Sequence, residues 1–222
     1  MKDKDSRPGK SGITRRGFIA AGAVFCGAAA TPAWAKDPVI EFVKESCGSD
    51  DARPRILVGY ASMCGSTGEI AAAVGKKLCA KKAHVDVLHL PEVESLEDYD
   101  AFVIGSPIHA GLWMREASRF LRRNKDALEK APVAYFITCM ALSSDNEDGK
   151  KLVQRYVELP LRVVPKIEPV AMGTFAGKVD YDKMPRRYHY VMRNIVPEDL
   201  DARNWDAIGQ WGEDLAGQLI KG

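Results

Sequence analysis

The chain is short of the features that would declare its class at once. Its five cysteines form no C-x-x-C and its four histidines no pair at ligand spacing, so no metal site is legible. It has no G-x-G-x-x-G and no Walker-type G-x-x-x-x-G-K-[ST], which excludes the dinucleotide fingerprint and the P-loop. There is no internal repeat and no low-complexity tract, so solenoids and disordered arrays are out. It lacks a surplus of one charge: the formal net charge is +2 over 222 residues. The first 35 residues hold six of the 32 lysines and arginines and two of the 30 acidic residues, leaving the remainder near neutral at −2. Such a body gives no electrostatic case for nucleic acid. No apolar run reaches the roughly 20 residues that span a bilayer; the longest, GFIAAGAVFCGAAA, has about 14. What remains, at 46% hydrophobic, fits one ordinary domain plus an appendage.

The appendage is residues 1–35. A basic region leads to Thr14-Arg15-Arg16-Gly17-Phe18-Ile19, the short apolar run, and Ala33-Trp34-Ala35, an A-x-A cleavage pattern. The paired arginines ahead of an apolar pair resemble a twin-arginine (Tat) signal. That resemblance implies the Tat translocase as a partner during export, a periplasmic or cell-envelope location, and a mature chain starting near Lys36. A short membrane anchor is the alternative, and Cys26 invites a lipoprotein reading that Phe25 beside it opposes. The Tat route carries folded cargo, which suits a protein that takes up a redox cofactor before transport. Export would also let Cys47, Cys64, Cys79 and Cys139 oxidise, in a connectivity that spacing leaves open.

Residues 36–53 read as a linker, and 54–222 as the domain. RILVGYA (55–61) is a branched, buried strand. Residues 67–82 carry Ile70, Val74 and Leu78 at a spacing of four, a helix. Further strands fall at 85–90, 101–106, 132–138 and 166–175, the third without alternation and so buried on both faces. Further helices fall at 113–128, with Phe120 and Leu121 inward, and at 149–159, ended by Pro160. A last helix at 205–220 carries Trp205, Ile208, Leu215 and Leu219 on one stripe, and 143–148 reads as a solvated polar loop. Alternating strands and helices predict an α/β doubly wound parallel sheet of five strands with helices on both faces. The order expected is 2-1-3-4-5, the flavodoxin-like one of the two common doubly wound orders. A ligand then belongs at the carboxyl ends of the first and third strands, where the winding reverses.

The loops leaving those strands carry the candidate site. Ser62-Met63-Cys64-Gly65-Ser66-Thr67 is a strand-to-helix turn. Backbone N–H groups and a helix N-terminus make such a turn an anion cradle. Ser62, Ser66 and Thr67 add hydroxyls, and Gly65 permits close approach and an unusual backbone angle. With no Lys or Arg in the loop, it suits a phosphate monoester. The alternative is a plain helix cap at Ser66 or Thr67. The second loop, 105–113, offers Pro107, Ile108, His109 and Gly111, with Trp113 either touching a ligand or packed in the core. The third offers Cys139 and Met140 in a Thr138–Leu142 stretch without an aromatic.

These motifs resemble a known family. S-x-x-G-x-T after a first strand is similar to the FMN phosphate loop of flavodoxins, [ST]-x-T-G-x-T, with Cys64 in place of a threonine. The second loop is similar to the flavin-flanking G-x-P-x-x-x-G of flavodoxins and quinone reductases. The resemblance implies FMN as cofactor, held by Ser62 to Thr67 and flanked by Pro107–Gly111, Cys139 and Met140. Without an aromatic in the third loop, the outer ring face is expected to be open to a second substrate. Residues 180–196, from Asp180 to Val196, interleave Tyr181, Met184, Tyr188, Tyr190 and Met192 with Arg186, Arg187 and Arg193. This insertion, with the approach to Trp205, resembles menaquinone-dependent protoporphyrinogen IX dehydrogenase. The resemblance implies a quinone-linked oxidoreductase acting on an organic substrate. The insertion is expected to lie outside the core and to meet a membrane surface or partner. The rival readings are a periplasmic electron carrier and a binding module that has lost its flavin.

Overall fold

The computed structural model describes residues 37–143 and 146–220, so the export signal read in residues 1–35 lies outside the described residues. The chain forms β1 (Glu45–Cys47), β2 (Arg55–Tyr60), α1 (Ser66–Cys79), β3 (His84–His89) and β4 (Ala101–His109). It continues with β5 (Leu112–Trp113), α2 (Arg115–Arg123), α3 (Lys125–Leu128), β6 (Val133–Cys139) and α4 (Glu147–Val163). Then come β7 (Ala171–Ala176), β8 (Lys178–Val179), α5 (Arg186–Arg193), β9 (Leu200–Asp201) and α6 (Trp205–Leu219). No helix among the described residues is long and apolar enough to cross a membrane.

The parallel strands stand in the order β3-β2-β4-β6-β7, the 2-1-3-4-5 order expected from the sequence. Successive side chains of a strand point to opposite faces, so each strand feeds two cores. Leu57, Phe102, Ile104, Tyr135 and Ile137 pack with Phe120, Leu121 and Tyr156 beneath α2 and α4. Ile56, Val58, Val103 and Phe136 pack with Ile70, Val74, Leu78, Ile208 and Leu215 of α1 and α6. Each such side chain, fully buried, contributes about 1.5–3 kcal/mol, which fixes the sheet and thereby the three loops at its carboxyl edge.

Several boundaries differ from the sequence reading, each for a physical reason. The segment read as a linker is packed: β1 adds antiparallel to the outer edge of β3, and Cys47 forms a disulfide with Cys79 at the end of α1. Cys64 and Cys139 stay free. The third strand runs three residues past its expected end, through Ile108 and His109. It turns back at Ala110 (φ +50°) and Gly111 (φ +78°) to pair with β5. Trp113 therefore sits in a strand, buried against Tyr135 at 5.7 Å between ring centroids, and is core. α4 begins earlier than expected because Asn146 Oδ1 caps it, accepting from the Gly149 N–H at 2.6 Å. It also runs on through Pro160, since the missing N–H orphans only the Tyr156 carbonyl in the last turn. On α6, Trp205 is 45% exposed and lies against the Arg203 guanidinium. Trp211 takes the inward place instead, edge-on to Phe136 and Phe175.

Candidate functional site

β2 ends at Tyr60, and the chain must reverse into α1 within five residues. Gly65, at φ +87°, makes that possible, because an L side chain is disfavoured there. The Gly65 N–H donates to Ser62 Oγ at 2.9 Å, and the Gly65 carbonyl accepts from the Gly68 N–H at 2.9 Å. Neither Ser66 nor Thr67 caps the helix. Helix geometry leaves the amides of Ser66 and Thr67 at the N-terminal end without intrahelical partners, and the helix dipole adds positive potential there. Gly65 gives the turn its backbone angle. A methyl built on it would meet Ile40 Cγ2 at 3.5 Å and the Glu41 carbonyl at 3.9 Å.

Three loops meet over a cavity of about 180 Å³. Ser62, Met63, Cys64, Ser66 and Thr67 line one end; Pro107, Ile108, His109 and Gly111 line a side; Cys139 and Met140 close the floor. Of the cofactor-binding residues read from the sequence, only Gly65 is not on the cavity wall. Thr67 Oγ1 lies 3.4 Å from Thr138 Oγ1, tying the first loop to the end of β6. Burial, with the Asp180 carboxylate adding to it, pushes the Cys64 thiol up to about 11. Cys64 is thus a neutral thiol at neutral pH and puts no negative charge beside an incoming phosphate. Burial likewise pushes Cys139 up to about 11.

The sequence reading missed the far wall. Met184, Tyr188, Met192 and Ile195, all from the insertion, line the same cavity. With Val179, Tyr181 and Val196 they pack on Cys64 and Met140 as a third apolar cluster. The Tyr181 hydroxyl donates to the Val196 carbonyl at 2.5 Å, and the Tyr181 N–H to Asp199 Oδ1 at 2.9 Å. The insertion thus lies outside the two sheet cores, as expected, but packs most of its aromatic and Met residues into a cluster of its own against the cavity; of these side chains Tyr190, 82% exposed, faces water. Tyr188 brings to the cavity wall an aromatic that the third loop lacks. A signal existed: Tyr188 and Met192 stand at a spacing of four on α5, with Met184 just ahead of it. Five of the six methionines among the described residues (Met63, Met114, Met140, Met184, Met192) line this one cavity.

Charge around the cradle is balanced by partners distant in sequence. Arg203, its side chain 4% exposed, pairs with Asp201 and with Glu69 Oε2 at 2.7 Å, and donates to the Ser66 carbonyl at 3.4 Å. Glu69 lies in the first turn of α1 and would oppose an anion; Arg203 neutralises it. Lys178 also lines the cavity, held by Asp180 at 3.0 Å.

The insertion leaves and rejoins the body between β8 and β9, which pair antiparallel with Val179 opposite Leu200. Because those ends already meet, a short Gly/Ser link can replace residues 180–196 without stretching the chain. We expect the shortened protein to stay folded and to bind FMN at least tenfold more weakly by fluorescence titration. Unchanged affinity would mean the insertion is not part of the wall.

His109 packs edge-on to Tyr188 at 5.4 Å, and burial holds its pKa below the ordinary value, as it does for His89. Both are neutral in the fold at neutral pH. Below an ordinary histidine value of about 6.5 the unfolded chain binds more protons than the folded one. Stability contributed by these two groups is therefore present above that value and lost as pH falls through it toward the folded pKa. The melting temperature should drop as pH falls below the ordinary histidine value of about 6.5, and His89→Gln with His109→Gln should flatten that slope.

A doubly wound sheet with an anion cradle at its switch point, opening on an apolar cleft, defines a mononucleotide-cofactor domain. Residues 57–203 match the family model of the flavodoxin domain, and the chain belongs to that family. It is a family of FMN-binding oxidoreductases and electron carriers, and FMN is the cofactor that membership brings. The residues present fit it: amides and hydroxyls for one phosphate, apolar walls for a ring, and no second phosphate site in a dinucleotide motif. Among solved structures, the flavodoxin of Streptococcus pneumoniae TIGR4 is similar at 18% identity and TM-score 0.46, over 74% of this chain and 99% of that one. Flavodoxin 2 of Bacillus cereus is similar at 22% identity and TM-score 0.41, over 74% and 99%. A flavoprotein of Lactobacillus acidophilus NCFM, solved in complex with FMN, is similar at 16% identity and TM-score 0.41, over 55% and 93%. No curated protein matches the chain in sequence.

Proposed function

We propose that this protein is an exported FMN-dependent oxidoreductase that passes electrons between a quinone and an organic substrate. The observation that carries the reading is the insertion wall. Met184, Tyr188, Met192 and Ile195 make the cleft apolar on the side facing away from the sheet, where a flat apolar partner would lie. FMN, when bound, supplies the redox chemistry. Ser62, Ser66, Thr67 and their amides would hold its phosphate; Pro107 to Gly111 would flank its ring; Cys139, Met140 and the insertion would exclude water. His109, kept neutral by burial, is placed to donate or accept one hydrogen bond at the cleft edge without adding charge.

A near-neutral body supports an enzyme over a carrier, which gains from a strong charge for docking. A porphyrinogen is the substrate that the protoporphyrinogen dehydrogenase resemblance implies, although export would remove the enzyme from cytoplasmic haem precursors. Export is supported by Arg15 and Arg16 ahead of the short apolar run, and by the Cys47–Cys79 pairing, which suits an oxidising compartment. The exposed Tyr190, Arg186 and Arg187 of α5 would meet a membrane surface from which a quinone is drawn.

The test is direct. Protein purified without added flavin should be yellow, and acid should release FMN as the main species. The reduced protein should turn over menadione-type quinones catalytically with an added donor. FAD as the main species would sink the cofactor assignment; single-turnover reoxidation without catalysis would make the protein a carrier.

A further inference from the structure

The segment of residues 37–47 runs from the N-terminus of α5 past Gly65 to the carboxyl ends of β2 and β3. At its start, the Asp37 carboxylate accepts from the Arg186 N–H at 3.1 Å and from Arg187 Nη1 at 2.6 Å, sitting at the N-terminus of α5. Ile40 and the Glu41 carbonyl then lie over Gly65 in the cradle. Phe42 stacks on His89, with centroids 3.9 Å apart and planes 17° from parallel. The Val43 carbonyl accepts from the Tyr60 hydroxyl at 2.8 Å. The run ends in β1, which the Cys47–Cys79 disulfide fastens to the far end of α1, the helix whose N-terminus forms the cradle.

Two of these contacts bear on residues that adjoin cavity-lining ones. On the phosphate side, Ile40 and Glu41 back the one residue whose left-handed backbone makes the turn. On the ring side, Arg187 carries Asp37 to Tyr188, with its guanidinium 4.7 Å from the Tyr188 ring centre, and Tyr188 meets His109 edge-on. Asp37 is thus two side chains from the residue expected at the flavin edge.

We propose that residues 37–47 are a strap that positions both the phosphate cradle and the insertion wall, with Asp37 and the Cys47–Cys79 disulfide as its two fastenings, so that it sets how long FMN stays bound. The inference rests on the FMN reading above. Its logic is that of pre-organisation: a nest of amides held in shape before the ligand arrives loses less freedom on binding. The Asp37 fastening is an exposed ion pair and holds weakly alone; the disulfide is the strong one, closing a loop 32 residues apart in sequence.

The experiment uses full-length protein with three sets of changes: Asp37→Ala, Cys47→Ser with Cys79→Ser, and all three together. FMN release is followed as the rise in free-flavin fluorescence after dilution. Amide exchange of residues 63–69 is measured on the cofactor-free proteins. We expect release to quicken about two- to fivefold for Asp37→Ala and about tenfold for the double serine variant. The triple variant should scarcely exceed the double, because a strap already loose at one end gains nothing from its other fastening. Exchange at 63–69 should quicken while that of β6 does not. Release and exchange unchanged in every variant would overturn the strap. So would exchange that quickens equally in β6, since the disulfide would then act on the whole fold. If the parent protein takes up no FMN, the cofactor reading fails instead, and the exchange of residues 63–69 decides the strap on its own.

Discussion

Gly65→Val should cost the protein its flavin while sparing its sheet. The cause is backbone, not crowding, since a methyl on Gly65 finds ordinary contact distances. At φ +87° an ordinary L residue is disfavoured by about 1–2 kcal/mol, and a β-branched one by more. The turn relieves that strain by rotating out of the left-handed region. This breaks the Gly65 N–H to Ser62 Oγ bond and turns the amides of Ser66 and Thr67 away from their common target. We expect FMN affinity to fall at least a hundredfold, about 2.7 kcal/mol at roughly 1.4 kcal/mol per decade, with far-ultraviolet circular dichroism unchanged. Gly65→Ala should lie between. A variant that binds FMN as the parent does would place the phosphate elsewhere.

A substitution one strand away should act on the fold instead. Gly105 in β4 stands in register between Tyr60 of β2 and Phe136 of β6, and its carbonyl accepts from the Ala61 N–H at 2.9 Å. A Cβ there would overlap the Phe136 ring. That ring is fully buried and held by Phe175 at 6.1 Å and Trp211 at 6.2 Å, so it has nowhere to swing. Overpacking of a tight core costs typically about 1–3 kcal/mol and more when the obstacle is rigid; Gly105→Val should exceed roughly 3 kcal/mol by chemical denaturation. It should also displace Ser106 and Pro107, and the flavin-flanking loop with them. Phe136→Ala, which alone costs about 3–5 kcal/mol for a buried ring, should cost distinctly less in the Gly105→Val background than in the parent, because there it also removes the obstacle. If Gly105→Val alone melts within about 2 °C of the parent, the packing described for Phe136 is wrong.

How much of this was legible in the sequence differs by kind of signal. Strands such as RILVGYA and VAYFIT announce themselves because burial on both faces demands an unbroken apolar run. Their order then places the three loops, and every cofactor-binding residue named there except Gly65 reaches the cavity wall. β1 was hidden because Glu45-Ser46-Cys47 is an edge strand, held by pairing and a disulfide with little apolar burial. The hairpin at Ala110 was hidden because alanine at positive φ gives none of the Asn-Gly or Asp-Gly signal that marks such turns. The insertion misled for a different reason. Its arginines interrupt the apolar residues in the chain, but Tyr188 and Met192 fall one turn apart on α5 with Met184 just ahead of it, and these three line the cavity while Arg186 and Arg193 do not. Arg203 has one partner nearby in sequence, Asp201, but its tie to the cradle was not legible, since Glu69 and Ser66 lie more than 130 residues away.

The gathering of methionines in the cleft also makes the site unusually easy to observe. Among the described residues, Met63, Met114, Met140, Met184 and Met192 line the cavity, whereas Met172 lies on β7 away from it. Labelling the methionine methyl groups with ¹³C would therefore place five magnetic reporters around one cavity and leave the sixth as an internal reference. Ring currents from an aromatic ligand should move the five and spare Met172. Signals from Met184 and Met192 would report the insertion wall, and Met63 the phosphate end. Weak ligands could then be located in the cleft by spectrum alone, with no electron transfer required to detect them.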